Sequence, residues 1–173
     1  MATQVQTKVR AIVKTLGMSV THTVTETIHA WLRITGGLDL DTNMLINGRD
    51  SIEKVLKTWI TSRHLKAVFL EVYHPGSNQC VARFDLVYSY DPTCSNEAGG
   101  YTIKMDSIDE VVKQLKSKVQ GAIYRIIVDL AENAPQVPGW TPTQPLSTDG
   151  LTKESIGNVF GSPYIEVGMD VLK

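Results

Sequence analysis

Histidine, serine and aspartate occur in this chain at positions where they could support hydrolytic chemistry. His22 and His29 are seven positions apart, which is about two helical turns, so they could share one helix face. Ser147 and Asp149 lie together in the sequence STDG, and a serine activated by a histidine is a common hydrolytic nucleophile. A turn with side-chain hydrogen bonds explains STDG better, so a small hydrolase using these four residues is kept only as a less favoured alternative.

Further sequence signals for catalysis or metal binding are absent. The chain has no glycine-rich phosphate loop, no GxSxG and no HExxH. Cys80 and Cys94 have no metal-ligand spacing, and without a secretion signal we expect both to be free thiols. The sequence therefore predicts a protein that is not an enzyme and that needs neither metal nor cofactor.

Size and charge restrict the class of protein. The 173 residues are 42% hydrophobic and carry a formal net charge of -1, which fits one domain with a proper core. The balanced charge argues against a dedicated binder of nucleic acid or anionic membranes. No apolar run approaches the roughly 18–20 residues that span a bilayer, and Lys8, Arg10 and Lys14 interrupt any signal-like stretch. We expect a cytoplasmic protein.

Three segments of the core have helical periodicity. The first begins at Met18 and ends at Gly36-Gly37, and the second runs from residue 47 to 64 with Asp50 or Ser51 as its cap and Glu53 closing a capping box. The third is capped by Ser107 with Glu110 and ends at Gly121. Their predicted buried stripes are Val20, Val24, Ile28, Trp31 and Leu32; Ile52, Val55, Leu56, Trp59 and Ile60; and Ile108, Val111, Val112, Leu115 and Val119.

Three segments are predicted strands. Residues 65–73 and 79–90 are rich in β-branched and aromatic side chains and are joined by the turn HPGSN, which indicates a hairpin with one buried side. Residues 122–130, AIYRIIVDL, form the third strand. Helices on one face of a mostly antiparallel sheet are an α+β architecture.

The first 17 residues are predicted to form an arm that Gly17 separates from the core. Apolar residues recur at helical spacing at Val5, Val9, Ile12 and Val13. Three roles remain open. The arm could pack on the core as a helix, serve as a handle for another protein, or occupy a binding groove of its own or a neighbouring molecule.

The last quarter of the chain combines irregular structure with apolar anchors. Five of the seven prolines lie at or after Pro135. The same segment also contains the apolar and aromatic residues Val137, Trp140, Tyr164 and Ile165. Long loops without regular structure are uncommon unless they are functional or disordered, and disorder does not need these apolar side chains. Either two terminal strands complete the sheet permanently, or the segment is a strap that can be held or released.

Several short phrases carry a family resemblance. THTVT (residues 21–25), KTWI (57–60), ARFDLVYSY (82–90) and VDLAENAPQVPGW (128–140) running into STDGL (147–151) occur in this order. In order and spacing, they resemble the bacterial HORMA-domain proteins encoded with cyclic-oligonucleotide anti-phage (CBASS) systems. The resemblance covers roughly residues 18–157, and GW…STDG is its most specific part.

The resemblance implies a HORMA fold and a conformational switch. Residues 18–130 would be the core and residues 131–173 a C-terminal safety belt that wraps around a short closure-motif peptide. The closed form would bind and activate a cGAS/DncV-like nucleotidyltransferase, and a Pch-type AAA+ ATPase would reopen it by engaging the N-terminal arm. A static peptide-binding scaffold is the alternative.

The resemblance also places the site. An exposed edge strand can pair with an extended peptide, so we expect the strand before the belt to bind it. That strand contains Ile123, Tyr124, Arg125, Ile126, Ile127, Val128, Asp129 and Leu130. The belt residues expected to act are Val137, Trp140, Ser147, Thr148, Asp149, Gly150, Tyr164 and Ile165.

Overall fold

The computed structural model describes residues 4–91 and 100–173, with the main chain alone for residues 4–9, 11 and 13. Cys94 and the side chains of Val5, Val9 and Val13 therefore lie outside the described part. The prediction that Cys94 is a free thiol stays a prediction, whereas Cys80 is a free and buried cysteine.

Four helices and six strands make up the described chain. The helices are α1 (Gln4–Gly37), α2 (Asn43–Asn47), α3 (Arg49–Thr61) and α4 (Asp106–Leu115). The strands are β1 (Leu65–Tyr73), β2 (Cys80–Tyr90), β3 (Thr102–Ile103), β4 (Ile123–Leu130), β5 (Lys153–Ser162) and β6 (Ile165–Leu172). They form one sheet in the order β3-β5-β6-β2-β1-β4, and every neighbouring pair is antiparallel. The predicted α+β class is confirmed.

The helices cover one face of the sheet. Alternate residues of β1, among them Val68, Leu70 and Val72, are fully buried in the core cluster, where they join helical residues such as Trp31 and Trp59. Helix α1 packs against α3 and α4 and also contacts β5 and β6. The predicted apolar stripes are buried as expected, except that Leu32 is only partly buried.

Three expectations about helix boundaries are wrong. Helix α1 continues through Gly17 without a break, because one glycine costs a long helix only about 1 kcal/mol. Helix α3 starts at Arg49 without a side-chain cap, and Glu53 pairs with Arg49 instead of closing a capping box. Helix α4 starts after Met105, also without a side-chain cap, and it ends at Leu115, well before Gly121.

Most of the described side chains near the start of α1 are exposed. Ile12, Lys14 and Met18 are exposed, whereas Val20 is the first buried apolar residue among the described side chains of the helix. The first part of α1 is helical, but its described side chains up to Met18 add little to the core.

Deleting residues 1–16 should leave a folded domain, because Ser19 and Val20 are the first buried residues among the described side chains of α1. We expect cooperative thermal unfolding by circular dichroism, with Tm lowered by less than about 4 °C, the shift that about 1 kcal/mol causes in a domain of this size. Trp31→Ala in the full chain is the comparison, with an expected loss of about 3–5 kcal/mol. A non-cooperative transition in the truncated protein would show that the arm belongs to the core.

Candidate functional site

Strand β4 is an edge strand of the sheet. It pairs only with β1, in a register that places Leu70 opposite Ile126 and Glu71 opposite Arg125. Within the described residues, no main-chain hydrogen bond joins β4 to any segment on its other side. An edge strand of this kind presents unpaired N–H and C=O groups along its length.

The side chains of β4 alternate between two environments. Tyr124, Ile126 and Val128 are partly buried against the helix-side core, in line with their partners Val72, Leu70 and Val68. Arg125 and Ile127 point to the opposite face, where Ile127 is 8% exposed. The edge therefore offers apolar side chains toward the helices and a mixture of charge and apolar surface on the other face.

The strap, residues 131–152, connects β4 to β5 and starts on the helix side. Its first residue, Ala131, donates its N–H to the carbonyl of His64 (2.8 Å). The indole N–H of Trp59 in α3 then donates to the carbonyl of Pro135 (2.8 Å). Trp140 packs edge-on against Trp59, with ring centroids 5.7 Å apart at 88°. The Trp140 ring is partly buried in this position, and its role as an anchor of the segment stays a prediction.

The later part of the strap lies on the opposite face of the sheet. Arg125 donates from Nη2 to the carbonyl of Gln144 (2.8 Å), and the N–H of Leu146 donates to the Glu71 carboxylate (2.7 Å). Ser147 forms a short bridge to the start of β2, with its carbonyl accepting from the N–H of Cys80 (2.8 Å). The strap thus passes from the helical layer to the far face on the side of the sheet where β4 is the last strand.

The chain after the strap joins the other half of the sheet. Strands β5 and β6 form a hairpin, and β6 pairs with β2 along its whole length, from Arg83 opposite Leu172 to Tyr90 opposite Ile165. Ile165 is buried, and Tyr164 lies in the hairpin turn at a φ of 75°, which is unusual for a tyrosine. In this arrangement the hairpin and the β4 edge lie on different sides of β1 and β2.

The STDG sequence forms the turn that leads from the strap into β5. The hydroxyl of Ser147 accepts from the N–H of Asp149 (3.2 Å), and Gly150 has a φ of 83° that favours glycine. The carbonyl of Asp149 accepts from the Gln79 side chain (2.7 Å), which fastens the turn to the sheet.

The fold does not connect the histidines of the hydrolase alternative to its serine and aspartate. His22 contacts Tyr101 with ring centroids 5.0 Å apart, and His29 pairs with Glu26 on α1. No hydrogen bond or ion pair in the described chain links either histidine to Ser147 or Asp149. The same part of the chain contains no group of three or more potential metal-ligating side chains, and none of its helices is long and apolar enough to span a bilayer.

Cys80 is buried where the strap meets β2. Burial is the main reason that the pKa of its thiol rises from 9.0 to about 11, and the nearby Glu71 carboxylate raises it further. The thiol is therefore protonated at neutral pH and a poor nucleophile.

Several residues that hold the strap are missing from the sequence predictions. These are Trp59 as a hydrogen-bond donor, Gln79, Glu71 and the Gln144–Leu146 main chain. Glu71 carries a usable signal, since a carboxylate within the otherwise apolar strand LKAVFLEVY must find a partner if it is buried. Main-chain contacts carry no signal in the sequence.

Helices on one face of an antiparallel sheet, with a C-terminal strap beside a free edge strand, define an α+β domain with a wrapped sheet edge. The model of the family Bacterial HORMA domain 2 matches residues 6–166, and the chain belongs to this family. The fold and the family agree with the resemblance drawn from the sequence. No curated protein matches the chain in sequence.

Solved structures show the same fold at low sequence identity. The E. coli MS115-1 HORMA:CdnC:Trip13 complex contains a chain with a TM-score of 0.61 and 11% identity, covering 91% of this chain and 89% of that chain. C. elegans HTP-2 bound to the HIM-3 closure motif has a TM-score of 0.52 and 18% identity, covering 72% of this chain and 68% of that chain. A chain of the mitotic checkpoint complex has a TM-score of 0.50 and 11% identity, covering 71% of this chain and 69% of that chain. These likenesses concern the fold alone.

In a Cys94→Ser variant, Cys80 should react with iodoacetamide at pH 8 about a hundredfold more slowly than a free thiol of ordinary pKa. Two units of pKa reduce the thiolate fraction by this factor, and burial slows the reaction further. The rate should rise with pH up to about 11 and become ordinary in denaturant. Fast labelling of the folded protein would contradict the buried position under the strap.

Proposed function

We propose that this protein is a peptide-triggered adaptor. A short extended peptide pairs with the free edge of β4, and the strap encloses it on the outside. The observation that carries the proposal is the combination of an unpaired β4 edge with a strap anchored on both faces beside it. Peptides commonly add a strand to such an edge, with alternate side chains entering pockets.

The strap makes release of the peptide slow. Its ends are fixed by β4 on one side and by the β5–β6 hairpin on the other, so a peptide lying between strap and edge is enclosed by covalent chain. A wrapped peptide leaves only if it slides out or if the strap and hairpin detach. This kind of closure gives a long residence time from a small contact area.

The switch requires two strap arrangements of similar free energy. Peptide binding shifts the population toward the wrapped arrangement by its differential affinity for the two. Prolines in the strap limit competing sheet pairing and reduce the entropy lost on docking. A static scaffold would instead hold the hairpin permanently in the sheet.

The family and two solved structures of the same fold support a proposal for the partners. The E. coli structure contains HORMA, CdnC and Trip13 together, and the C. elegans structure contains a closure motif. We infer that the wrapped form of this protein binds and activates a cGAS/DncV-like nucleotidyltransferase in anti-phage defence. A Pch-type AAA+ ATPase then reopens it through the N-terminal arm, whose apolar residues include Val5, Val9, Ile12 and Val13.

A disulfide between β2 and β6 should block peptide capture. Val87 and Gly168 are paired across these strands, and a Cβ at Gly168 would make only ordinary contacts, so Val87→Cys with Gly168→Cys in a Cys94→Ser background should form the bond. Twelve-residue peptides selected from a displayed library on the reduced protein are the probe. We expect the oxidised protein to capture at least tenfold less peptide in the same time, because the hairpin can no longer detach.

The single variant Val87→Cys is the matched control and should capture peptide under both conditions. Ion-exchange chromatography of the reduced protein should resolve two slowly exchanging monomers, and peptide should drive them into one. Equal capture by the locked and reduced proteins, with one chromatographic form, would support the static scaffold.

Nucleotide synthesis should depend on this protein together with its peptide. We expect genes for a cGAS/DncV-like nucleotidyltransferase and a Pch-type AAA+ ATPase to lie beside the gene of this protein. The test uses that nucleotidyltransferase, supplied with radiolabelled ATP and GTP. We expect product only when adaptor and peptide are both present, and less product when the neighbouring AAA+ ATPase and ATP are added. His22→Ala with His29→Ala should keep full stimulation, whereas its loss in a folded double variant would favour the hydrolase alternative.

A further inference from the structure

Glu71 is the most completely buried acidic side chain near the strap. It lies on β1 with 0% of its surface exposed, on the face opposite the helices. Its carboxylate accepts a hydrogen bond from Arg125 Nε at 2.6 Å and another from the N–H of Leu146 at 2.7 Å. A buried carboxylate is tolerated only when it is paired and hydrogen-bonded, so both contacts matter.

Arg125 connects the same carboxylate to a second point of the strap. While Nε binds Glu71, Nη2 donates to the carbonyl of Gln144 at 2.8 Å, and the guanidinium lies 6.0 Å from the Tyr73 ring centroid. The ion pair between the fully buried Glu71 carboxylate and the Arg125 side chain, which is 29% exposed, therefore holds strap residues 144 and 146 together. Because Arg125 belongs to β4, this pair connects the strap directly to the strand that carries the free edge.

The neighbouring ion pair does not substitute for these contacts. Arg83 faces Glu71 in the sheet register, but it binds both carboxylate oxygens of Asp85 and lies over Phe69, 4.3 Å from the ring centroid. Across the residues that the structure describes, Glu71 has no hydrogen-bond partner besides Arg125 and Leu146. Lifting the strap would leave the buried carboxylate with one partner fewer.

We propose that Glu71 and Arg125 form a latch that holds the strap in its wrapped arrangement and sets how often the strap opens. The latch lies between the Trp59–Trp140 contact and the bridge from Ser147 to Cys80. Its part in retaining a peptide rests on the proposed function. The latch itself acts in the free protein, where no peptide is needed to observe it.

The test compares variants that alter the latch in different ways. Glu71→Gln keeps an acceptor for Leu146 but loses the charge that pairs with Arg125. The double variant Glu71→Met with Arg125→Met removes both strap contacts without leaving a buried charge, and such apolar replacements of buried ion pairs are often tolerated. Glu53→Gln, in the surface pair with Arg49 on α3, is the matched control because it removes an exposed carboxylate that pairs with Arg49 and not with the strap.

Hydrogen exchange of the free proteins, followed by mass spectrometry, measures strap opening. We expect exchange of residues 135–150 to rise about ten- to a hundredfold in the double variant, the effect of losing charge-assisted hydrogen bonds, and less in Glu71→Gln. The rates of β1 and β2 should stay unchanged, and Glu53→Gln should match the original protein.

Two outcomes would contradict the proposal that Glu71 and Arg125 form a latch. One is a folded double variant whose strap exchanges at the original rate. The other is loss of protection spread equally over β1, β2 and the strap, which would show a general structural role. Failure of library peptides to bind any variant would instead count against the proposed function alone, since the exchange data need no peptide. If peptides bind, the double variant should release them at least tenfold faster.

Discussion

An open antiparallel sheet ends in strands whose outer main-chain groups have no partners, and the rest of this structure depends on how the chain protects those groups. Proteins usually protect such an edge with charges, bulges or very short strands. On the β3 side, the sheet ends in a two-residue strand, and β5 beside it has register shifts and charged side chains such as Lys153 and Glu154. On the β4 side, an eight-residue strand has no strand partner on its outer edge, and the chain places its strap there instead of a further strand.

The strap is held by contacts of different chemistry on the two faces of the sheet. Toward the helices, two tryptophan rings and an indole hydrogen bond fix it. On the far face, the ion pair of the buried Glu71 carboxylate with Arg125 and a short main-chain bridge do so. Residues 141–143 between these two sets of contacts are exposed. Local opening is easiest where few buried contacts oppose it, so this intermediate stretch is the natural place for the strap to give way first.

The elements with strong periodicity could be predicted from the sequence, and those that depend on distant contacts could not. The apolar stripe of α3 and the strands β1, β2 and β4 follow from spacing alone. The predicted interruption of the helix at Gly17 is wrong, because the helix propensity of the residues on both sides exceeds the cost of one glycine. Glu71, Gln144 and Leu146 meet only in the folded chain, so no local pattern could have identified them as one cluster. The roles of the predicted edge and belt residues stay predictions.

The uninterrupted helix α1 has a mechanical consequence. The N-terminal turns and the turns that carry Trp31 form one continuous helix, and this helix contacts α3, α4, β5 and β6. A pull on its free end would load the packing beneath the β5–β6 hairpin, although the two segments are far apart in sequence. Traction at the first residues would therefore weaken the support of the last ones, while β1 and β4 still kept their mutual pairing.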